Sequence, residues 1–166
     1  MPIRDALLPE YDHEIGTTRR LLERTPEAEL AWKPHDKSMT LGELASHLVA
    51  IPRWCNIILE RPEFDMGGSA DDRPAVAAGS RAELLAGFDS GTAAARAAIA
   101  AAGDPELLAL WTFKKGGHEI FTLPRVAALR SLVMSHLVHH RGQLSVYLRL
   151  KDVPLPSIYG PTADES

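Results

Sequence analysis

Apolar residues recur at helical spacing in four stretches of the chain, and segments rich in proline, glycine and polar residues separate them. The first stretch covers residues 7–22, where Leu7, Tyr11 and Ile15 fall on one face with charged residues between them. Pro26 follows shortly afterwards. Because proline has no backbone N–H, it ends this helix or opens a new turn. The pattern predicts a long first helix near the start of the chain.

The second helical stretch begins with a capping motif. Thr40 and Glu43 form the Thr-x-x-Glu pattern, in which each side chain can satisfy a backbone N–H left free at a helix start. Glu43 could instead orient His47, one turn later, but the capping motif already accounts for this glutamate. We expect Pro52 to bend the helix, because it removes a hydrogen bond to the carbonyl of Leu48.

A segment rich in glycine, aspartate, proline and alanine separates the second helix from the third. Residues 62–79 show no clear period, so we expect a loop there. Ser80 and Glu83 then repeat the capping motif, and an alanine-rich helix should run from them to Gly103. The small residues of this helix permit close packing against a neighbour.

The pattern changes before the last helical stretch. Residues 111–114 and 118–121 alternate in the manner of two short strands on either side of a glycine turn. The fourth helix should start near Thr122, with Pro124 in its first turn. We expect a lone hairpin of this kind to lie against the helices, because two strands alone are marginally stable.

Four helices with a long second connection favour an all-α fold, namely a four-helix bundle with a short β-hairpin before the last helix. A chain of 166 residues is the size of one ordinary domain. No internal repeat or low-complexity linker divides it, so we expect a single domain over residues 1–166. The composition, 45% hydrophobic and 24% charged, is typical of globular proteins.

The charge and the cysteine content limit which binding partners and which cellular compartment we expect for this protein. The chain has 18 lysine and arginine residues against 22 aspartate and glutamate residues, so no general attraction to a nucleic-acid backbone is expected. Cys55 is the only cysteine, which excludes an internal disulfide and suits a reducing compartment. No signal-peptide pattern and no apolar run of membrane-spanning length occurs. We therefore expect a cytoplasmic protein that binds neither nucleic acid nor membrane.

Two histidines on the predicted fourth helix carry the candidate chemistry. His136 and His140 lie about 6 Å apart along a helix axis and about 40° apart around it, so their side chains can converge on one ion. His47, on the predicted second helix, could supply a third nitrogen from a facing helix. Three imidazoles would leave coordination positions open for water or substrate, as in catalytic metal sites. The alternative for each is a hydrogen-bonded histidine beside the core.

We do not expect the residues next to these two histidines to be metal ligands. His139 is rotated about 100° from His140, so we assign it a flanking position. Gln143 shares the face of His136 and His140 and could hydrogen-bond a bound water or a ligand imidazole; the alternative is a buried amide that serves packing. Arg141 points away from His140 and could pair with a carboxylate in the fold or across a dimer.

The chain resembles the DinB/YfiT-like family of metal-dependent proteins over nearly its whole length. The resemblance depends on the order and spacing of three segments: TLGELASHL at residues 40–48, HLVHHRGQ at residues 136–143, and VPLPSIYGPTADE at residues 153–165. It implies a four-helix bundle with a crossover connection, often assembled as a homodimer. It also implies a divalent metal on three histidines.

By position, that resemblance places the metal ligands at His47, His136 and His140. Histidine-only ligation suits zinc or nickel, with iron, copper and manganese as alternatives. Family members with assigned activities are similar to thiol-dependent transferases and isomerases that use bacillithiol, mycothiol or glutathione. A metal on neutral imidazoles can bind a thiolate and lower the pKa of the thiol.

The resemblance therefore implies a thiol-dependent transferase that acts on an electrophilic small molecule. The cofactor thiol would be the nucleophile, and we expect Cys55 to be a buried residue without that role. One alternative is a metal-dependent hydrolase, in which the ion activates water. Another is a non-catalytic stress protein that binds metal or a small molecule.

Overall fold

The computed structural model describes residues 1–67 and 78–165, and most of these residues are helical. The helices are α1 (Ile3–Glu23), α2 (Leu41–Ala50), α3 (Trp54–Glu60), α4 (Arg81–Ala101), α5 (Asp104–Leu108), α6 (Arg125–Leu129) and α7 (His136–Leu150). The strands are β1 (Glu63–Met66), β2 (Leu110–Lys115) and β3 (His118–Pro124). Short 3₁₀ helices cover Glu27–Glu29 and Ile51–Arg53, and a π-helical segment covers Arg130–Ser135.

The long helices occur where the apolar periodicity predicts them. Helix α1 buries Leu7, Tyr11 and Leu22 and extends beyond both ends of the predicted residues 7–22. It packs against α4 and α7, and α2 packs against the same two helices. This arrangement brings α2 next to α7, the two helices that carry the candidate ligands. Across the described residues, every helix is too short or too polar to span a lipid bilayer.

The helix starts follow the predicted capping chemistry, one completely and one in part. At α2, Oγ1 of Thr40 accepts from the backbone N–H of Glu43 at 3.1 Å, and Oε2 of Glu43 accepts from the Thr40 N–H at 2.7 Å. At α4, Oγ of Ser80 accepts from the Glu83 N–H at 3.1 Å, but Oε2 of Glu83 accepts from the N–H of Gly79. The first motif is therefore a reciprocal capping box, whereas the second has only the serine half.

Pro52 interrupts the predicted second helix as well as bending it. Helix α2 ends at Ala50, a 3₁₀ turn covers Ile51–Arg53, and α3 starts at Trp54. The proline nitrogen cannot donate to a carbonyl one turn earlier, so the α-helical hydrogen bonds stop and then resume. The single predicted helix is thus two helices joined by a tight turn.

The all-α prediction omits a three-stranded sheet with the order β1-β2-β3. The predicted hairpin is present, because β2 and β3 pair antiparallel around Gly116 and Gly117, both of which have positive φ. Strand β1 pairs parallel with β2, although its residues belong to the predicted loop 62–79. Four residues with Phe64 as the one buried side chain are too few to show an alternating pattern. Residues 68–77 of that predicted loop lie outside the described residues.

The last helical stretch departs most from its prediction. Strand β3 continues through Pro124, so the helix starts at Arg125 and not near Thr122. The π-helical segment Arg130–Ser135 then separates α6 from α7. A π-turn holds more residues than an α-turn, so it rotates the residues before it relative to those after it. The predicted α-helix is therefore interrupted upstream of His136, but the predicted apolar positions still face the core: Leu129 and Val133 are buried, and Val126 packs against the core.

Candidate metal centre

The packing of α2 against α7 brings three histidine side chains together. His47 lies in the last turn of α2, His136 begins α7, and His140 follows one turn later. One ring nitrogen from each lies within 4.8 Å of the others. Nε2 of His47 is 3.1 Å from Nε2 of His136, and the ring centroids of His47 and His140 are 4.4 Å apart. These three histidines could hold a metal ion.

The surroundings of the three histidines keep their rings neutral. Each ring is half-buried, and burial disfavours the charged form. Burial, together with the neighbouring His140 and His136, lowers the pKa of His47 from 6.5 to about 4. Burial also lowers the pKa of His136 and of His140. At neutral pH the cluster therefore presents unprotonated ring nitrogens, the form that binds metals.

A backbone carbonyl holds the ring of His136. Nδ1 of His136 is 3.3 Å from the carbonyl oxygen of Leu132, which can only accept a hydrogen bond, so Nδ1 carries the proton. The π-helical segment ends at Ser135, and the backbone N–H of His136 donates to the carbonyl oxygen of Val133 rather than to that of Leu132. The tautomer leaves the lone pair of Nε2 pointing towards His47.

The distance between two of the ring nitrogens suits a tetrahedral ion. With metal–nitrogen bonds of about 2.0–2.1 Å, two ligands of a tetrahedral ion lie about 3.3 Å apart. The separation of Nε2 of His47 and Nε2 of His136 is 3.1 Å. Because the second nitrogen has no proton, a proton from His47 or a cation is needed to relieve the repulsion between the two lone pairs. The donor set therefore fits a divalent ion that prefers imidazole.

Gln143 connects the cluster to His139 along one turn of α7. Its Oε1 is 2.8 Å from Nδ1 of His140, and its Nε2 is 3.2 Å from Nε2 of His139. Gln143 and His139 are both exposed, so the glutamine is not a buried packing amide. His139 lies beside the cluster and is not one of the three grouped histidines.

Arg141 faces away from the cluster and pairs with a carboxylate of α1. Its Nη1 is 2.6 Å from Oε2 of Glu14, and its Nη2 donates to the hydroxyl of Tyr159 at 2.6 Å. That hydroxyl donates to Oε1 of Glu14 at 2.8 Å. The role of Glu14 is not predicted from the sequence, and Tyr159 lies in the segment 153–165 that carries the family resemblance. The available signal is that Glu14 follows Tyr11 by three residues and so lies on the buried face of α1.

The remaining histidines and the cysteine lie outside the cluster. His13 is exposed and stacks on the ring of Tyr159, His35 lies in the exposed segment before α2, and His118 begins β3 at an exposed position. Cys55 is fully buried, and burial raises the pKa of its thiol to about 12. It is therefore a neutral core residue, as expected.

Comparisons with known proteins agree with this fold. The model of the DinB superfamily matches residues 10–144. The chain is 29% identical to the uncharacterized protein YrdA of Bacillus subtilis strain 168 over 164 residues, which cover 97% of this chain and 90% of that protein.

Two solved structures are similar in fold. One is a DinB-like protein of Bacillus cereus ATCC 10987, with a TM-score of 0.74, 21% identity, and coverage of 95% of this chain and 98% of that one. The other is the DinB-like protein YjoA of Bacillus subtilis, with a TM-score of 0.69, 20% identity, and coverage of 93% and 99%. At these identities the two structures support the fold alone. From the family match over residues 10–144, the chain belongs to the DinB superfamily.

Proposed function

We propose that this protein is a metal-dependent enzyme that transfers a low-molecular-weight thiol to an electrophilic small molecule. His47, His136 and His140 would hold one divalent ion, zinc or nickel in the first place and iron or manganese as alternatives. The observation that carries the proposal is the convergence of three neutral imidazoles from two helices. Bacillithiol, mycothiol and glutathione are the candidate thiols.

An ion bound by the three histidines would keep further coordination positions open for other ligands. When bound, a divalent ion on three imidazoles supplies Lewis acidity at open positions and lowers the pKa of a coordinated thiol or water. The chain's part is to keep the rings unprotonated and directed at one point, and the burial and hydrogen bonding described above support that role.

The nucleophile would come from outside the chain. Cys55 is fully buried with a raised pKa, so its sulfur can neither reach a substrate nor ionise readily. In the proposed reaction, the cofactor sulfur forms a bond to the electrophilic carbon. The leaving group departs with its bonding electrons, and the thiol proton passes to solvent. An external thiol therefore accounts for the chemistry without a protein thiolate.

We further propose the architecture and assembly that the family resemblance implies. Helix α1, the pair α2 and α3, helix α4, and the run from α6 to α7 would form a four-helix bundle with a crossover between α3 and α4. The packing of α1 and of α2 against both α4 and α7 supports this arrangement. Residues 1–166 would be a single domain, and the protein would act as a cytoplasmic homodimer.

Thiol conjugation by the metal-loaded protein tests the proposed activity. Protein loaded with zinc or nickel is assayed with each of the three thiols and a chromogenic electrophile such as 1-chloro-2,4-dinitrobenzene. We expect thiol-dependent conjugation that a chelator removes and added metal restores. His140→Ala should abolish it, whereas His118→Ala, which changes an exposed histidine outside the cluster, should leave it intact.

Two outcomes would overturn this proposal. Conjugation that is equal in wild type and His140→Ala would show that the cluster is not involved. Hydrolysis of esters or amides without any thiol, lost on chelation, would instead identify a metal hydrolase.

Thermal unfolding gives an independent measure of metal binding. Zinc at about 100 times its dissociation constant should stabilise the wild type by about 2.7 kcal/mol, and this increase should be absent in His47→Ala.

A further inference from the structure

Gln143 stands between two histidines of the same helix, one inside the cluster and one outside it. Its Oε1 lies 2.8 Å from Nδ1 of His140, and its Nε2 lies 3.2 Å from Nε2 of His139. We propose that His139 and Gln143 form a positioning pair that fixes the tautomer and direction of the His140 ring. For its effect on metal binding, this inference rests on the proposed function.

The hydrogen-bonding character of the amide determines the tautomer of His140. An amide oxygen only accepts, so the ring nitrogen that faces Oε1 must carry the proton. Nδ1 of His140 is then the donor, and Nε2 keeps the lone pair with which a ring can bind an ion. If the amide were turned over, its NH₂ group would face Nδ1 and favour the opposite tautomer. The orientation of the Gln143 side chain thus decides whether His140 can serve as a ligand through Nε2.

His139 lies at the other end of the amide and supports the direction seen in the structure. Nε2 of His139 is 3.2 Å from the amide nitrogen of Gln143, which only donates, so this ring nitrogen must be the acceptor. When Nδ1 of His139 carries the proton of that ring, the amide gains a hydrogen bond at each end with its oxygen facing His140. The flanking histidine therefore acts on the cluster through Gln143, without contributing a ligand.

The two histidines of α7 differ in how securely they are held. His136 is held by the carbonyl of Leu132, a backbone group that cannot change its hydrogen-bonding character. His140 is held by a side-chain amide that could turn over, and Gln143 is exposed to solvent. His140 is therefore the ring whose orientation depends on the identity of its neighbours.

The tautomer of His140 in metal-free protein tests the positioning pair directly. Long-range ¹H–¹⁵N NMR of histidine-labelled protein distinguishes a protonated Nδ1 from a protonated Nε2. We expect Nδ1–H at His140 in the wild type and a shift towards Nε2–H in Gln143→Leu. Ser145→Ala is the matched control, since the Ser145 hydroxyl lies on the same helix and donates to the Gly142 carbonyl. It should leave the tautomer unchanged.

Zinc affinity, measured by competition with a chromophoric chelator, tests the consequence. Gln143→Leu should weaken zinc binding about tenfold, the lower end of the range for groups that orient metal-bound histidines, because the contact is exposed. Gln143→Glu, whose carboxylate can only accept, should keep nearly full affinity. His139→Leu should weaken binding in the wild type but have no further effect in the Gln143→Glu background.

The outcomes separate this inference from the proposed function. An unchanged His140 tautomer in Gln143→Leu, or unaltered zinc affinity in that variant, would overturn the positioning role of Gln143. No effect of His139→Leu on either measurement would overturn the role of His139. Failure of the wild type to bind any divalent metal would refute the proposed function. The NMR measurement on metal-free protein would still decide whether the pair sets the tautomer of His140.

Discussion

Oε2 of Glu14 lies 2.6 Å from Nη1 of Arg141, and both side chains are almost completely buried. Arg141 directly follows His140, so this ion pair joins α7 to α1 at the level of the histidine cluster. The hydroxyl of Tyr159, from the segment after α7, donates to the same carboxylate. A contact between the first helix, the last helix and the C-terminal segment therefore lies next to the histidine cluster.

Loss of this ion pair should destabilise the protein strongly. Arg141→Met leaves the buried carboxylate of Glu14 without its cationic partner, and removal of one member of a buried pair costs about 3–5 kcal/mol. Urea denaturation of wild type and variant measures the difference in the free energy of unfolding. Arg96→Met is the matched control, because Arg96 pairs with Asp12 on the exposed surface and should contribute little. Equal losses in the two variants would contradict the prediction.

The stability of metal-free protein should fall as the pH drops from about 6.5 towards 5. The pKa of His47 is lowered from 6.5 in the unfolded chain to about 4 in the folded protein, so in this range only the unfolded state takes up the proton. Protons then favour unfolding, and His136 and His140 act in the same direction. Above about pH 7 the three rings are neutral in both states and contribute no pH dependence.

Urea midpoints between pH 7.5 and pH 5 measure this effect in chelator-treated protein. The range stays above most carboxylate titrations, so the histidines dominate the change. The variant His47→Gln should show a shallower dependence, because one titrating ring is gone. A wild-type midpoint that is constant over this range, or a slope unchanged in His47→Gln, would refute the assignment.

Cys55 should resist thiol reagents in the folded protein. Its side chain is fully buried, and burial raises the pKa of the thiol to about 12, so neither access nor thiolate is available at pH 8. Iodoacetamide followed by mass spectrometry should detect no labelling without denaturant and complete labelling in guanidinium chloride. Rapid labelling of the native protein would show that the region around α3 opens readily. Cys55 would then be a candidate nucleophile.

The local parts of the fold were predictable from short-range chemistry. The capping box at Thr40 and the burial of one face of α1 depend on residues within a few positions of each other. The hairpin before the last helix was predicted for the same reason, since a glycine turn sets the pairing of adjacent strands. The shared face of His136 and His140 follows from their separation of four positions within one regular helix.

Errors arose where distant residues or an irregular backbone decide the structure. Strand β1 forms because β2, almost fifty residues later along the chain, offers a free edge for Phe64 and its neighbours. The π-helical segment Arg130–Ser135 contains neither proline nor glycine, so its altered phase leaves no mark in the pattern of apolar residues. The predicted continuous α-helix is interrupted there for that reason.

By itself, the sequence determined the long helices α1 and α4, the capping box at Thr40, and that two histidines of the last helix share a face. Each of these follows from hydrogen bonds and periodicity within a single element. Only the tertiary structure decided that His47 meets His136, 89 residues away. This contact depends on how α2 packs against α7, and no local pattern along the chain encodes that packing.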